Sequence, residues 1–231
     1  MKTLSLVIPA YNAPDLARTA ASHIPELAAS ATACGFELVE AIFVDDGSEP
    51  PLDLPSADGA TDIPIKVLRQ PANRGKGAAV RRGALSAKGG WVLMSDVDLS
   101  APLGEFSKLA TRADAWMTCG SRAGRAGMPL RRRFLSRVFH LAVRLAGVSG
   151  VRDTQCGFKL FRMDVMRPVF EAQRIERFAF DVELLRLVRR RGGTVAEVPV
   201  EWKGGSRSSL SILADAPRML WDLIRITLGN C

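Results

Sequence analysis
The sequence predicts an α/β protein built on a mainly parallel sheet with helices packed on both faces. Two observations carry that expectation. Short, nearly unbroken apolar runs alternate with helix-like segments through the first hundred residues, as expected of strands buried on both faces. The strongest runs also stop in polar clusters, and in open parallel sheets ligands gather outside the carboxyl ends of the strands.

In order, Leu4 to Pro9 reads as the first strand, followed by an alanine-rich helical stretch from Pro14 to Ala33, interrupted near Pro25. Leu38 to Val44 and Ile65 to Leu68 are the second and third strands, Ala78 to Ala87 a helix, and Trp91 to Met94 the fourth strand. The second half differs in texture. Gly120 to Arg137 is rich in Arg and Gly, and Phe134 to Ala146 reads as an amphipathic helix. Leu160 and Phe161 suggest a strand, Phe178 to Arg191 a helix and Thr194 to Trp202 another strand. The tail, Leu210 to Leu228, is apolar but broken by Asp215, Arg218, Asp222 and Arg225. No repeat or linker appears, so a single domain over residues 1–231 with C-terminal additions is expected.

The 231 residues are 47% hydrophobic and 24% charged, which excludes disordered and collagen-like classes. Thirty-two basic residues, most of them arginine, against 24 acidic ones give a net charge of +8 and point to an anionic partner. Nucleic acid, a phosphorylated small molecule and an acidic membrane surface all fit. RNP, helix-turn-helix and finger patterns are lacking and aromatic residues are sparse among the arginines, so nucleic acid is not expected. Cys34, Cys119, Cys156 and Cys231 are scattered and only His23 and His140 accompany them, which fits a reducing cytosol better than a zinc site or disulfide framework. MKTLSLVIPAYN reads as a buried strand rather than a signal peptide, and no run is long enough to span a bilayer.

The three polar clusters are Ala10-Tyr11-Asn12, Asp45-Asp46-Gly47-Ser48 and Ser95-Asp96-Val97-Asp98. Asp-Gly is also an ordinary turn pair, so each cluster alone is compatible with a plain strand end. Asp96 and Asp98, two apart in extended chain, can turn the same way and share Mg²⁺ or Mn²⁺, whose shell a substrate's phosphates complete. Asn73 to Gly77 fails both the Walker A and the dinucleotide patterns; what remains is a cationic turn opening a helix, suited to an anion or merely solvated. Arg122, Arg125, Arg131, Arg132, Arg133 and Arg137 form a cluster able to grip phosphate, or a solvated basic face. Asp181 and Glu183 lie two apart on a helix, so at most one faces a site, and Asp181 also fits a helix N-cap.

Together these segments resemble the inverting glycosyltransferases of family 2, which have the GT-A fold. The resemblance runs in order through VIPAYN (Val7 to Asn12), VDDGS (Val44 to Ser48), NRGKGAAVRRG (Asn73 to Gly83), SDVDLS (Ser95 to Ser100), GSR (Gly120 to Arg122), DTQCGFKLF (Asp153 to Phe161) and FAFDVELL (Phe178 to Leu185). The later motifs resemble most the glucosyl branch of the polyprenyl-phosphate (dolichyl-phosphate) enzymes. The resemblance implies a nucleotide-sugar half at about residues 1–100, and an acceptor half with C-terminal amphipathic helices at about 101–231. Pro9, Tyr11, Asn12, Asp45 and Asp46 would line the nucleoside pocket, with Lys76 on the donor. Asp96 and Asp98 would hold the metal, with Ser100 where some relatives carry glutamine. Arg122, Arg132 and Arg207 would face donor and acceptor phosphates, and Asp181 joins Asp98, Arg122 and Arg132 as a catalytic candidate.

The implied partners are UDP-glucose, or GDP-mannose, and a polyprenyl phosphate at an anionic membrane surface, with the protein peripheral on the cytoplasmic inner face. A lipid phosphate is already anionic at neutral pH, so that acceptor needs no strong base. A soluble enzyme with a small-molecule, glycan or protein acceptor would need one, from Asp181 or Glu183. A non-catalytic phosphate- or nucleic-acid-binding module is the third reading, and it predicts that Asp98→Ala is harmless.

Overall fold
The computed structural model describes residues 1–55, 62–122, 150–203 and 221–227. The amphipathic stretch at Phe134 to Ala146, most of the Leu210 to Leu228 tail, and the basic positions Arg125, Arg131, Arg132, Arg133, Arg137 and Arg207 lie outside them.

The chain runs β1 (Lys2–Ala10), α1 (Pro14–Ser22), α2 (Ile24–Ala33), β2 (Phe36–Asp45), β3 (Ile65–Arg69), α3 (Lys76–Ser86), β4 (Trp91–Ser95), a 3₁₀ turn (Leu103–Glu105), α4 (Phe106–Ala110), β5 (Met117–Arg122), β6 (Phe158–Arg162), α5 (Met163–Ala172), α6 (Phe180–Arg190) and β7 (Val195–Val200). The strands form one seven-stranded sheet in the order β3-β2-β1-β4-β6-β5-β7. Pairings β1–β2, β1–β4, β2–β3 and β5–β7 are parallel, whereas β6 runs antiparallel to both β4 and β5. The reversed β6 therefore begins at the edge where its neighbours end, with Phe158 opposite Ser95 and Lys159 opposite Cys119.

Strand alternation sorts the apolar residues into two cores. Leu4, Leu6 and Ile8 of β1, Leu93 of β4, and Phe158 and Leu160 of β6 pack with α1, α2 and α4. Val7, Val92, Met94 and Phe161 pack on the other face with α3, α5 and α6. Lys159 alternates with Phe158 and Leu160 along β6 and so points toward the second face, where α6 lies.

The interruption expected near Pro25 falls at His23, which ends α1 and starts α2. Both helices carry proline in the first turn, where an amide hydrogen has no intrahelical partner. Helix α3 begins at Lys76, two residues before the expected start, which places this lysine in its first turn. Strand β5 and helices α4 and α5 were not expected. Gly120, Ser121 and Arg122 are weak strand formers, and pairing with β6 and β7 decides β5. Helix α5 had a legible signal in Met163, Met166, Val169 and Phe170, all buried at helical spacing, but Pro168 obscures it.

Candidate active site
The C-terminal ends of β1, β2 and β4 meet at one edge, as the three polar clusters required. Among the described residues two non-glycine positions have left-handed backbone, Asn12 (φ 48°) and Leu99 (φ 46°), and both follow these strands. Asparagine tolerates that region; a leucine there is strained, and such residues concentrate at functional sites.

The first two clusters lock together. Asn12 N donates to Ser48 Oγ at 2.9 Å, and Glu49 N donates to Asn12 Oδ1 at 2.9 Å. Pro9 is buried within β1, whereas Tyr11, 49% exposed, leaves a ring face open at the rim. Asp45 and Asp46 are both buried. Asp45 accepts from Ser48 N at 2.8 Å, Leu52 N at 3.0 Å and Arg69 Nη1 at 2.8 Å. Burial pushes its carboxyl up, but the Ser48 and Leu52 hydrogen bonds and the Arg69 charge outweigh this and hold it below the usual carboxylate range. Asp46 accepts from Gln70 Nε2 at 2.5 Å, Arg74 N at 2.9 Å and Gly75 N at 2.8 Å. Both carboxylates hold loops in place, so they shape this sheet edge through the backbone they organise. The cationic turn, read as suited to an anion or merely solvated, meets an anion of its own, Asp46.

The third cluster is half-buried from Asp96 to Asp98. Asp96 N donates to Gly157 O at 3.1 Å, and a Cβ on Gly157 would overlap the Asp96 carboxylate. Lys76 Nζ lies 2.5 Å from Asp96 Oδ1, both side chains being partly exposed. Asp98 accepts from Ser100 N at 3.0 Å and Ser100 Oγ at 2.8 Å, so the buried Ser100 orients this carboxylate. Among the described residues no group of three or more His, Cys, Asp or Glu is placed to hold a metal. Asp96, Asp98 and Ser100 are nevertheless hard oxygen donors, and two carboxylates with substrate phosphates suffice for Mg²⁺ or Mn²⁺. The ammonium at Asp96 shows that the site accommodates positive charge.

Charged groups continue behind Asp96. Arg122 directs its backbone N, Nε and Nη2 to Asp153, the last two at 2.6 and 2.7 Å, and stacks 5.3 Å over Trp202. That edge of the guanidinium is engaged by protein, where the sequence suggested a phosphate. Asp181 is the second residue of α6, not its cap, which is Ala179. Its Oδ1 lies 2.8 Å from Nζ of Lys159, and the side chains are 0% (Lys159) and 4% (Asp181) exposed. Lys159 also donates to the Cys156 carbonyl. Burial pushes the Asp181 carboxyl up against the pull of Lys159 and Lys76, and the negative charge of Asp96 adds to the rise. Glu183 is buried and accepts from Arg174 N at 3.0 Å and Ile175 N at 2.8 Å, so it braces a turn and is not placed as a base. Sequence reasoning assigned no role to Lys159, Asp153 or Gly157, although all three lie in DTQCGFKLF. The available signal was a lysine inside an otherwise apolar strand.

Comparison with known proteins bears on the family and the fold. Residues 5–170 match the family described as Glycosyl transferase family 2. The chain is 37% identical to a dolichyl-phosphate beta-glucosyltransferase of Trichomonas vaginalis, over 97% of this chain and 70% of that protein. A dolichyl-phosphate beta-glucosyltransferase of Dictyostelium discoideum is 33% identical, over 96% of this chain and 73% of that protein. Glucosyl-3-phosphoglycerate synthase from Mycobacterium tuberculosis, solved with Mn²⁺, UDP-glucose and phosphoglyceric acid, superposes with a TM-score of 0.70 at 18% identity. That match covers 100% of this chain and 80% of that one, and establishes the same fold, GT-A.

Proposed function
Because the chain belongs to glycosyltransferase family 2 and is a glycosyltransferase, we propose that it moves glucose from UDP-glucose to a polyprenyl phosphate of the dolichyl type, inverting the anomeric carbon. The observation that carries this reading is the 37% identity to a dolichyl-phosphate beta-glucosyltransferase along 97% of the chain. The strand-end clusters stand at the edge where such a donor would lie.

One domain performs both halves of the task. Pro9, Tyr11, Asn12 and the loops held by Asp45 and Asp46 frame the nucleoside. Asp96 and Asp98, with Ser100 behind Asp98, would hold Mg²⁺ or Mn²⁺, which when bound would supply Lewis-acid neutralisation of the leaving diphosphate. Lys76 adds a second positive charge on the same phosphates. The acceptor phosphate is anionic at neutral pH, so the chain need only orient it and offset the repulsion between two anions, the part given to Arg122, Arg132 and Arg207. Asp181 enters through charge, a buried carboxylate behind Lys76 and Asp96.

Among the described residues no helix is long and apolar enough to cross a membrane. A peripheral position on the inner face is supported by the net charge of +8 and by residues 221–227, where Trp221 and Ile224 are exposed one turn apart while Leu223 and Ile226 are buried. The test is transfer of radiolabelled glucose from UDP-glucose to polyprenyl phosphate in vesicles, with Mn²⁺ and with EDTA. A metal-dependent, organic-extractable product is expected. Donor hydrolysis without lipid product would move the acceptor to a soluble molecule, and GDP-mannose outperforming UDP-glucose would overturn the donor.

A further inference from the structure
Lys76 carries a positive charge in the first turn of α3, where the helix dipole disfavours cations, so helix stability does not explain it. What holds it is Asp96, whose Oδ1 lies 2.5 Å from the ammonium, in a pair partly withdrawn from water with side chains 20% and 29% exposed. The neighbouring charged groups are otherwise engaged. Asp181 pairs with Lys159, Arg122 with Asp153, and Asp98 receives both hydrogen bonds from Ser100. Gly157 closes the far side of Asp96, where even a methyl group would overlap the carboxylate. The carboxylate therefore has little freedom to turn away and serve a second cation elsewhere.

We propose that Lys76 and a divalent cation compete for Asp96 Oδ1, and that a nucleoside diphosphate resolves the competition by drawing the ammonium onto its phosphates. The inference rests on the donor-site reading above and adds an order to it: the metal is held weakly until the diphosphate arrives, and the two then load together. An ammonium 2.5 Å from Oδ1 takes up one lone pair and repels a divalent ion set about 2.1 Å from the same oxygen, so the ion binds more weakly until the ammonium moves. The diphosphate offers the lysine more negative charge than a single carboxylate does. Linkage is reciprocal, so the factor by which nucleotide tightens metal is the factor by which metal tightens nucleotide. This arrangement would limit futile loading of the metal without donor.

The test is Mn²⁺ binding to the full chain, read from the EPR signal of free Mn²⁺, with and without UDP. Loss of a residue that merely binds substrate would leave metal affinity without nucleotide unchanged. Here Lys76→Met is expected to tighten Mn²⁺ at least tenfold without UDP and to lose most of the further tightening that UDP brings to the wild type. Lys76→Gln repeats the measurement should the methionine variant fold poorly, and Lys76→Arg, which keeps the charge, should remain near wild type. Unchanged or weaker Mn²⁺ binding by both neutral variants overturns the competition. Asp96→Asn and Asp98→Asn separate the two levels of the argument. If both leave Mn²⁺ binding in the presence of UDP intact, the carboxylates are not the metal site, and the donor reading falls together with this inference.

Discussion

Replacing Lys159 with methionine would leave the Asp181 carboxylate buried in the first turn of α6 without its ion partner. The pair is among the most deeply buried in the described structure, with Lys159 0% and Asp181 3% exposed, and Nζ and Oδ1 2.8 Å apart. Breaking such a pair from one side costs about 3–5 kcal/mol, because the remaining buried charge loses the partner in direct contact and keeps only the more distant charge of Lys76. Whole-protein stabilities are about 5–15 kcal/mol, so the loss is a large share of the total. For a chain of this length each kcal/mol moves Tm by about 2–4 °C, giving a fall of roughly 6–20 °C. Urea denaturation and thermal melting of Lys159→Met, Asp181→Asn and the double variant measure it as a cycle. The double variant removes both charges and should recover more than half of the loss. Activity then separates the two roles of Asp181. If its charge serves only the fold, the stable double variant regains turnover; if its charge acts on Lys76 and the transfer, the double variant is stable and slow. A Lys159→Met protein within about 1 kcal/mol of wild type, or a cycle with no coupling, would refute the reasoning.

Gly157→Ala should keep the fold but displace the Asp96 carboxylate, since the new methyl lands on it; kcat/KM is expected to drop about 100-fold with Tm nearly unchanged, and normal kinetics would show that Asp96 need not stay where it is. Burial pushes Glu40 up, but hydrogen bonds from Lys66, Lys88 N and Ser5 and the Lys66 charge bring it below its ordinary value of 4.5. A lowered acid adds stability that is full above the ordinary value and is lost as pH falls through the folded one, so the gap between wild type and Glu40→Gln should shrink in urea titrations taken downward from about pH 5. A gap constant with pH would contradict it. Burial raises the thiols of Cys119 to about 12 and Cys156 to about 11. Alkylation at about pH 8 followed by peptide mass spectrometry should therefore modify the partly exposed Cys34 in native protein and leave those two untouched until denaturant is added.

The sequence by itself determined the strands that carry the site and the polar clusters that end them, because both are local patterns. An apolar run of period two or an unbroken run announces a strand, and Tyr11-Asn12, Asp45-Asp46 and Asp96-Val97-Asp98 follow directly in the chain. Residues 153–161 and 178–185 were recognisable as motifs, yet their partners were not. Lys159 meets Asp181 across 22 positions only because β6 is reversed between β4 and β5, which brings its first residues to the site edge. Lys76 meets Asp96 only because α3 starts two residues earlier than expected, at the lysine itself. Asp45 and Asp46 illustrate the same limit: their position after β2 was legible, but their turn toward the loop amides at Ser48, Leu52, Arg74 and Gly75 was not. Local pattern fixes which residues reach the edge of the sheet. Which charge faces which depends on strand direction and long-range packing, and only the tertiary structure decides that.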